Sequence, residues 1–236
     1  MEKDLITGQE QKIIYEKLAN TAVKNFNRKY INAWYAPSKE EALPIVIDMI
    51  PAGATVGTAD SVTLLQVGVL SEIKKRGRNK IINPFVRDEE GHFVVDEEER
   101  DTLKRKVFFT DVYVIGTNAV TLDGKLVNTD AGGNRVAAMI FGPKKVIIVV
   151  GANKIVKDLD SAFKRIREVC APVNAARHAI KHNRPQYMDL PCVKTGICTD
   201  CNNPWRICHH TIVIDGVTER KRGHINVVII GESLGI

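Results

Sequence analysis

The stretch that decides the fold is TNAVTLDGKLVNTDAGGNRVAAMIFGPKKVIIVV, residues 117–150. Its last six residues, 145–150, form a near-continuous apolar run, which is typical of a strand that is covered on both faces of a sheet. Asp123-Gly124 lies between two short β-rich runs and predicts a hairpin with a type I′ turn, since that turn needs positive φ at both central residues. Residues 132–141 then follow a helical pattern. The stretch therefore predicts a hairpin, a helix and a buried strand in succession.

Strands and helices also alternate on both sides of this stretch. The expected strands are 32–37, 54–58, 79–83, 111–115, 211–214 and 225–230, and the expected helices are 9–27, 38–49, 61–76 and 158–182, the last with a break at Pro172. A charged segment, 87–106, predicts a solvated excursion that leads into a surface helix. Such alternation predicts an α/β fold with a mostly parallel sheet, flanking helices, a β-hairpin and an N-terminal helix.

The composition is that of an ordinary globular protein. Of the 236 residues, 44% are hydrophobic and 26% are charged, which excludes a disordered chain, a collagen and a membrane bundle. No apolar run approaches the roughly 20 residues of a membrane span, and the N-terminal MEKDLITGQEQK is too polar for a secretory signal. We therefore expect a cytoplasmic protein that does not contact a membrane.

The charge balance bears on the partners. A formal net charge of +6 permits an anionic partner. Aromatic residues are sparse, however, and no nucleic-acid-binding motif occurs. The sequence therefore favours a small anionic metabolite as a partner and disfavours nucleic acid.

Two loops that follow strands and precede helices, 57–61 and 128–135, carry the candidate binding residues. Loops at the carboxyl ends of strands line the ligand crevice of an α/β sheet, and helix N-termini there offer free N–H groups. The candidate ligand-binding residues are Thr58, Asp60, Ser61, Asn118, Asn128, Asp130, Gly132, Gly133, Asn134 and Arg135. The alternatives are plain helix capping for the first loop and a structural turn network for the second.

No nucleophile with its base is evident, so the catalytic residues stay unknown. Asp130 and Asp60 are candidate bases, and Arg135 is the candidate anchor for a carboxylate or phosphate, or else a partner of Asp130. Neither the GxxxxGK[ST] loop nor the GxGxxG fingerprint occurs. His178 and His182 lie four residues apart without the glutamate of an HExxH zinc motif, and we interpret them as part of a solvated helix face.

Four of the five cysteines fall within 17 residues and are the candidate metal ligands: Cys192, Cys198, Cys201 and Cys208. Their pattern is C-x5-C-x2-C-x6-C, and clustered thiols in a chain expected to be cytosolic indicate metal. A single C-x2-C with irregular flanking gaps favours a [4Fe–4S] cluster. Zinc, which commonly uses two C-x2-C pairs, and a redox dithiol stay open. Cys170 is expected to be a buried small hydrophobe.

At these residues the chain resembles a known family. The run 117–156 resembles the core signature of the LUD-domain proteins, the LutC/YkgG-like lactate-utilisation family, as do 55–77 and 166–179. The tail PCVKTGICTDCNNPWRICHHTIVI, 191–214, resembles the cysteine-bearing tail of one subgroup. The resemblance implies a fold of the NagB/RpiA/CoA-transferase-like type, in which relatives bind phosphosugars, CoA esters or folates beyond the strand ends.

The resemblance also implies a role in lactate or organic-acid utilisation. The leading hypothesis combines a polar small-anion pocket with an iron–sulfur site that supports electron transfer to an iron–sulfur or dehydrogenase protein. One alternative is an enzyme acting on a small anionic substrate with a structural zinc tail, and another is a regulatory or scaffold subunit; a homo-oligomer is compatible with each. The expected organisation is an N-terminal helix (1–30), a LUD α/β core (31–183), and a cysteine-rich loop with C-terminal strands that completes the same domain (184–236).

Overall fold

The computed structural model describes residues 7–236. The strands are β1 (Asn32–Ala36), β2 (Thr55–Thr58), β3 (Lys80–Ile82), β4 (Val112–Ile115), β5 (Ala119–Thr121), β6 (Leu126–Asp130), β7 (Lys145–Gly151), β8 (Ile155–Val156), β9 (His210–Ile214) and β10 (Ile225–Ile230). The α-helices are α1 (Thr7–Arg28), α2 (Lys39–Asp48), α3 (Val62–Val67), α4 (Val69–Arg76), α5 (Glu97–Lys106), α6 (Asn134–Ile140), α7 (Leu159–Arg165), α8 (Ala171–Lys181) and α9 (Pro191–Thr195).

The main sheet is parallel throughout and has six strands in the order β1-β10-β7-β4-β2-β3. Successive side chains of β7 point to opposite faces, and both faces are buried. Val146, Ile148 and Val150 pack into one core with α1, α6 and the hairpin. Ile147 and Val149 pack into a second core with α2, α3 and α4. This double burial explains why the run reads as continuously apolar.

A second sheet has four strands in the order β8-β5-β6-β9 and covers part of the first core. Its β5–β6 pair is the predicted hairpin, with Val120 opposite Leu126. The expected type I′ turn is wrong, because Gly124 has positive φ (80°) and Asp123 does not. The Gly124 N–H donates to the Thr121 carbonyl at 2.9 Å, so the connection has one more residue than a two-residue turn.

Two predicted helices are interrupted, each at a different kind of break. The helix expected over 61–76 divides into α3 and α4 at Gly68, whose φ is 81°. The helix expected over 158–182 is interrupted by a π-helical stretch, Ile166–Cys170. Pro172 follows two residues after this stretch, and its missing N–H leaves the carbonyl of Glu168 without its α-helical donor. The interruption therefore lies just before Pro172 rather than at it.

The predicted fold class is confirmed: a mostly parallel α/β sheet with flanking helices, a β-hairpin and an N-terminal helix. Ser38 is the N-cap of α2, since its hydroxyl accepts from the Glu41 N–H at 3.3 Å. No helix in the part of the chain that the structure describes is long and apolar enough to cross a membrane. The expected division of the chain at residues 30 and 183 stays a prediction.

Replacing Gly124 with alanine tests the contact between the hairpin and α1. A Cβ at Gly124 would lie 2.8 Å from the backbone of Asn25 and Phe26, whereas a Cβ at Gly53, which has nearly the same φ (79°), would meet nothing within 4 Å. Gly53→Ala should therefore cost only the left-handed backbone penalty, about 1 kcal/mol. Gly124→Ala should cost about 1 to 3 kcal/mol more because the overlapping backbones must move apart. Denaturant unfolding of both variants measures the difference in the free energy of unfolding. Equal losses of this free energy would show that α1 moves away from Gly124→Ala without cost.

Candidate functional site

A polar cavity of about 250 Å³ lies at the carboxyl ends of the central strands. Its wall is formed by the loop after β2, the residues between β4 and β5, the loop from β6 into α6, and the first turn after β7. Because β2, β4 and β7 are parallel strands of one sheet, their carboxyl ends meet at the same edge, and the loop after β6 of the second sheet joins them there. Seven predicted binding residues line the cavity: Asp60, Ser61, Asn118, Asp130, Gly132, Asn134 and Arg135.

The other three predicted binding residues lie behind the wall. The buried Thr58 hydroxyl donates to the Val114 carbonyl at 2.9 Å and holds β2 against β4. Asn128 is completely buried and donates to the Thr117 hydroxyl at 2.8 Å. Gly133 has φ of 79° and begins α6, a conformation that favours glycine. These three residues position the cavity wall, and their role in binding stays a prediction.

Neutral oxygens hold the Arg135 guanidinium in place. It donates to Asn118 Oδ1 at 2.8 Å, to Asn128 Oδ1 at 3.0 Å and to the Thr129 carbonyl at 2.6 Å. Within the described residues no carboxylate forms a salt bridge with it. The expected alternative pairing with Asp130 is therefore not formed. Arg135 presents an oriented, uncompensated positive charge to the cavity.

Asp130 caps the loop into α6. Its carboxylate accepts from the Gly133 N–H at 2.6 Å and from the Val136 N–H at 3.1 Å. Two backbone donors satisfy both oxygens, as at a helix N-cap. The geometry therefore supports a structural role for Asp130, and its candidacy as a base stays an untested prediction.

Asp60, the other candidate base, forms a bidentate ion pair. Arg177 Nη1 and Nη2 donate to its two oxygens at 3.0 and 3.1 Å, and His182 Nε2 is 3.6 Å from Oδ2. Burial alone would raise the pKa of Asp60, but His182 and Arg177 beside it hold the pKa well below its usual range. Asp60 is therefore ionised at neutral pH and, being so weakly basic, is a better ligand or anchor than a general base.

Sequence reasoning missed several charged residues of the cavity, foremost Lys154. Lys154 is 4% exposed, and its ammonium donates to the Thr63 hydroxyl at 3.1 Å. Burial, followed by the charges of Arg165 and Arg135, lowers the pKa of Lys154 to about 8, against the opposing charge of Cys170. Its position just after the buried strand β7 was a usable signal, since strand carboxyl ends line such cavities.

Arg87 and Phe93 also line the cavity, although both come from the segment expected to be a solvated excursion. Arg87 and Phe93 form an isolated antiparallel bridge, and the guanidinium of Arg87 lies 3.6 Å from the centre of the Phe93 ring. The segment therefore folds back over the cavity before α5 begins. The surface-helix part of the prediction is confirmed by α5, but the solvated reading is wrong for these two residues.

The solvated helix face expected at His178 and His182 is also wrong. The His182 side chain is 1% exposed, and its ring packs against Phe93 and His178 with centroid distances of 6.2 and 4.7 Å. Burial, followed by the neighbouring His182, lowers the pKa of His178 to about 4. His178 lines the cavity together with Asp60. The two histidines face inward because α8 packs its inner side against the cavity wall.

The four candidate metal ligands surround a small second cavity. Cys192 lies on α9, Cys198 and Cys201 lie in the following loop, and Cys208 lies just before β9. All four are half-buried and unpaired. Arg206 holds the loop closed by donating to the carbonyls of Cys201 and Cys208 at 2.5 and 3.0 Å.

The two cavities share a wall. Ala171, Ile207 and Cys208 line both the polar cavity and the cysteine cavity. Cys170 also lines the polar cavity, where its sulfur contacts the guanidinium of Arg165. The prediction that Cys170 is buried is confirmed (4% exposed), but its surroundings include this cation as well as apolar groups.

The fold and the site together define a class of α/β protein with a mostly parallel sheet. It has a cationic cavity at the strand ends and a four-cysteine site that adjoins this cavity. The family model of the LUD domain matches residues 19–230, so the chain belongs to the LUD-domain family. The predicted family is thereby confirmed, and membership supports a function of the lactate-utilisation type in general terms.

Three solved structures are similar to this chain. A DUF162 family protein from Deinococcus radiodurans has 8% identity and a TM-score of 0.46 over 93% of this chain and 96% of its own. Ribose 5-phosphate isomerase A from Neisseria gonorrhoeae has 13% identity and a TM-score of 0.39 over 84% and 94%. Ribose 5-phosphate isomerase from Plasmodium falciparum has 16% and 0.33 over 50% and 52%. The comparison with curated proteins gave no match.

Removing Arg177 tests the ion pair with Asp60. Arg177→Met should lower the free energy of unfolding by about 2 to 3 kcal/mol, because Asp60 is left charged without its partner. The loss falls short of a fully buried pair because the side chains of Arg177 and Asp60 keep 18% and 22% exposure. Lys164→Met, which removes the exposed Lys164–Glu168 pair, is the matched control and should cost at most about 0.5 kcal/mol. A loss for Arg177→Met no larger than the control would contradict the assignment.

Proposed function

We propose that this protein serves lactate or organic-acid utilisation by binding a small anionic metabolite in the strand-end cavity, directly beside an iron–sulfur cluster held by the four cysteines. The observation that carries the proposal is the shared wall, since Ile207 and Cys208 border both cavities. A ligand in the polar cavity and a cofactor on the cysteines would then be neighbours. When bound, the cluster would supply one-electron transfer to a partner iron–sulfur or dehydrogenase protein.

The balance of charges supports an anionic ligand. Arg87, Arg135, Arg177 and Lys154 line the cavity, and only two acidic side chains, those of Asp60 and Asp130, line it with them. One carboxylate is paired with Arg177, and the other accepts backbone N–H groups. Buried cations without counter-charges are costly, so an anion that enters is stabilised by charges already in place. The planar Arg135 fork suits a carboxylate, and the Lys154 ammonium adds a second donor.

The cysteine residues fit an iron–sulfur cluster better than a zinc ion. In a tetrahedral zinc site with Zn–S bonds of about 2.3 Å, the sulfurs lie about 3.8 Å apart. Within the described residues, no three of the four cysteine sulfurs lie within 4.8 Å of one another. A four-iron cluster separates its ligands more widely because each thiolate binds a different iron. The Asp200 N–H also points at the Cys198 sulfur at 3.5 Å, a contact that stabilises a thiolate.

In this proposal, different residues of the cavity bind the anion, limit the access of water and hold the binding residues in position. Arg135 anchors the carboxylate, because Asn118 and Asn128 fix its orientation. Lys154, held by Thr63, donates to a second oxygen of the ligand or stabilises charge that develops there. Phe93 and Arg87 cover the opening and limit the access of water. Asp60 keeps Arg177 in position at the same wall.

Metal analysis after anaerobic purification tests the cofactor. The wild-type chain should contain iron and acid-labile sulfide, with the broad visible absorbance of such clusters. Cys198→Ser and Cys201→Ser should each lose most of the iron, because the cluster requires four cysteines. Cys170→Ser is the matched control, since Cys170 lies outside the four-cysteine cavity, and it should keep its iron. Stoichiometric zinc without iron would contradict the electron-transfer role and favour an enzyme with a structural zinc tail.

Calorimetric titration with lactate tests the anion site. Lys154→Met should weaken binding by about tenfold or more, because a charge-assisted hydrogen bond is worth about 1.5–3 kcal/mol. Wild-type affinity should fall as the pH rises above 8 and should level off near the affinity of Lys154→Met, since the pKa of Lys154 is about 8 and the neutral amine attracts an anion less. Lys154→Met should lose this pH dependence. Lys157→Met, at an exposed lysine three residues away, should bind as the wild type does.

The same calorimetric titration also shows whether the cavity binds an anion at all. If neither lactate nor other small carboxylates, CoA esters or phosphosugars bind, while the cluster is present, the anion-pocket part of the proposal is wrong. The regulatory or scaffold alternative would then be the better account of the chain.

A further inference from the structure

His182 is the least satisfied polar side chain near the cavity. Its side chain is 1% exposed, and within the described residues neither ring nitrogen has a hydrogen-bond partner. Buried polar groups without partners are rare in proteins, and each one calls for an explanation such as an ion. The ring belongs to the residue that directly follows α8, one helical turn after His178, and both rings lie near Asp60.

The distance between His182 and Asp60 suits two ligands of one metal ion. His182 Nε2 lies 3.6 Å from Asp60 Oδ2, which is too long for a hydrogen bond. Two ligand atoms bound at about 2.1 Å to one tetrahedral ion lie about 3.4 Å apart. One ligand atom each from Asp60, His178 and His182 lie within 4.8 Å of one another.

We propose that Asp60, His178 and His182 bind a divalent transition-metal ion whose open coordination positions face the polar cavity. Two imidazoles with one carboxylate suit zinc, iron(II), cobalt or nickel, and they are a poor set for magnesium or calcium, which prefer oxygen ligands. Asp60 and His178 line the cavity, while His182 lies behind them. A ligand that enters the cavity would therefore meet the open side of the ion.

The surrounding cations determine how this site behaves. Arg177 donates to both Asp60 oxygens, as an outer partner that orients a metal-binding carboxylate often does. Arg87, Lys181 and Arg184 add further positive charge, which opposes a dication. An anion in the cavity would offset these charges, so metal and anion should each strengthen the binding of the other. This coupling rests on the proposed function, whereas the metal site itself does not.

Cobalt(II) is a suitable probe because its spectrum distinguishes the two candidate metal sites. Metal-free full-length protein should bind one more equivalent of cobalt than His182→Phe. The additional equivalent should show visible d–d bands without the near-ultraviolet charge-transfer bands of thiolate ligands. His182→Phe keeps an aromatic ring in the buried position, and His182→Asn serves if the phenylalanine variant is unstable. His92→Phe is the matched control, because the His92 side chain is 65% exposed and lies outside the proposed ligand set.

The outcomes separate this inference from the proposed function. Equal cobalt binding by the wild type and both His182 variants would overturn the site, and so would an additional equivalent that carries thiolate bands. Loss of the additional equivalent in His92→Phe as well would overturn it too. The iron and sulfide content of Cys198→Ser and Cys170→Ser reports on the cysteine site independently. Adding lactate to the cobalt-loaded chain should shift the d–d bands if the anion binds at the open positions.

Discussion

Side chains from Val146 to Val150 alternate between two cores and have no access to solvent, and the rest of the structure depends on this burial. A strand enclosed on both faces has no place for polar side chains along its length, so they collect where the strands end. The neighbours β4 and β10 run parallel to β7 and are equally enclosed. The loops after β2, β4 and β7 therefore meet at one edge with their polar groups, and the loop after β6 of the second sheet joins them there.

The edge where these loops meet carries more cationic than anionic side chains. Lys154 is buried with one hydroxyl as its acceptor, and Arg135 is held by amide and carbonyl oxygens. Such an arrangement lowers the stability of the folded chain, because the buried Lys154 and the half-buried Arg135 lose hydration without gaining a counter-charge. Proteins tolerate costs of this kind where a ligand later supplies the missing charge. The excess of cations is therefore a stronger argument for an anion site than any single residue of the cavity.

Local patterns in the sequence were sufficient to predict the fold but only part of the site. The strand β7 and the loops that bear Asp60 and Arg135 follow from apolar runs and turn residues, which act over a few positions. Arg177 and His178 were missed because their inward direction depends on how α8 leaves the π-helical stretch before it. Phe93 was missed because a charged segment gives no sign of folding back. The turn at Gly124 depends on α1, a contact that is distant in sequence.

Helix α8 connects the two candidate sites. Its first residue, Ala171, borders the cysteine cavity, and His178, seven residues later, borders the polar cavity near Asp60. Seven residues of α-helix span about 10 Å, so the helix fixes the separation of the two sites. The wall at Ile207 and Cys208 gives a second, shorter connection. A cofactor on the cysteines would therefore be held at a constant, short distance from a ligand in the cavity. A purely structural metal site has no need to lie against the ligand cavity.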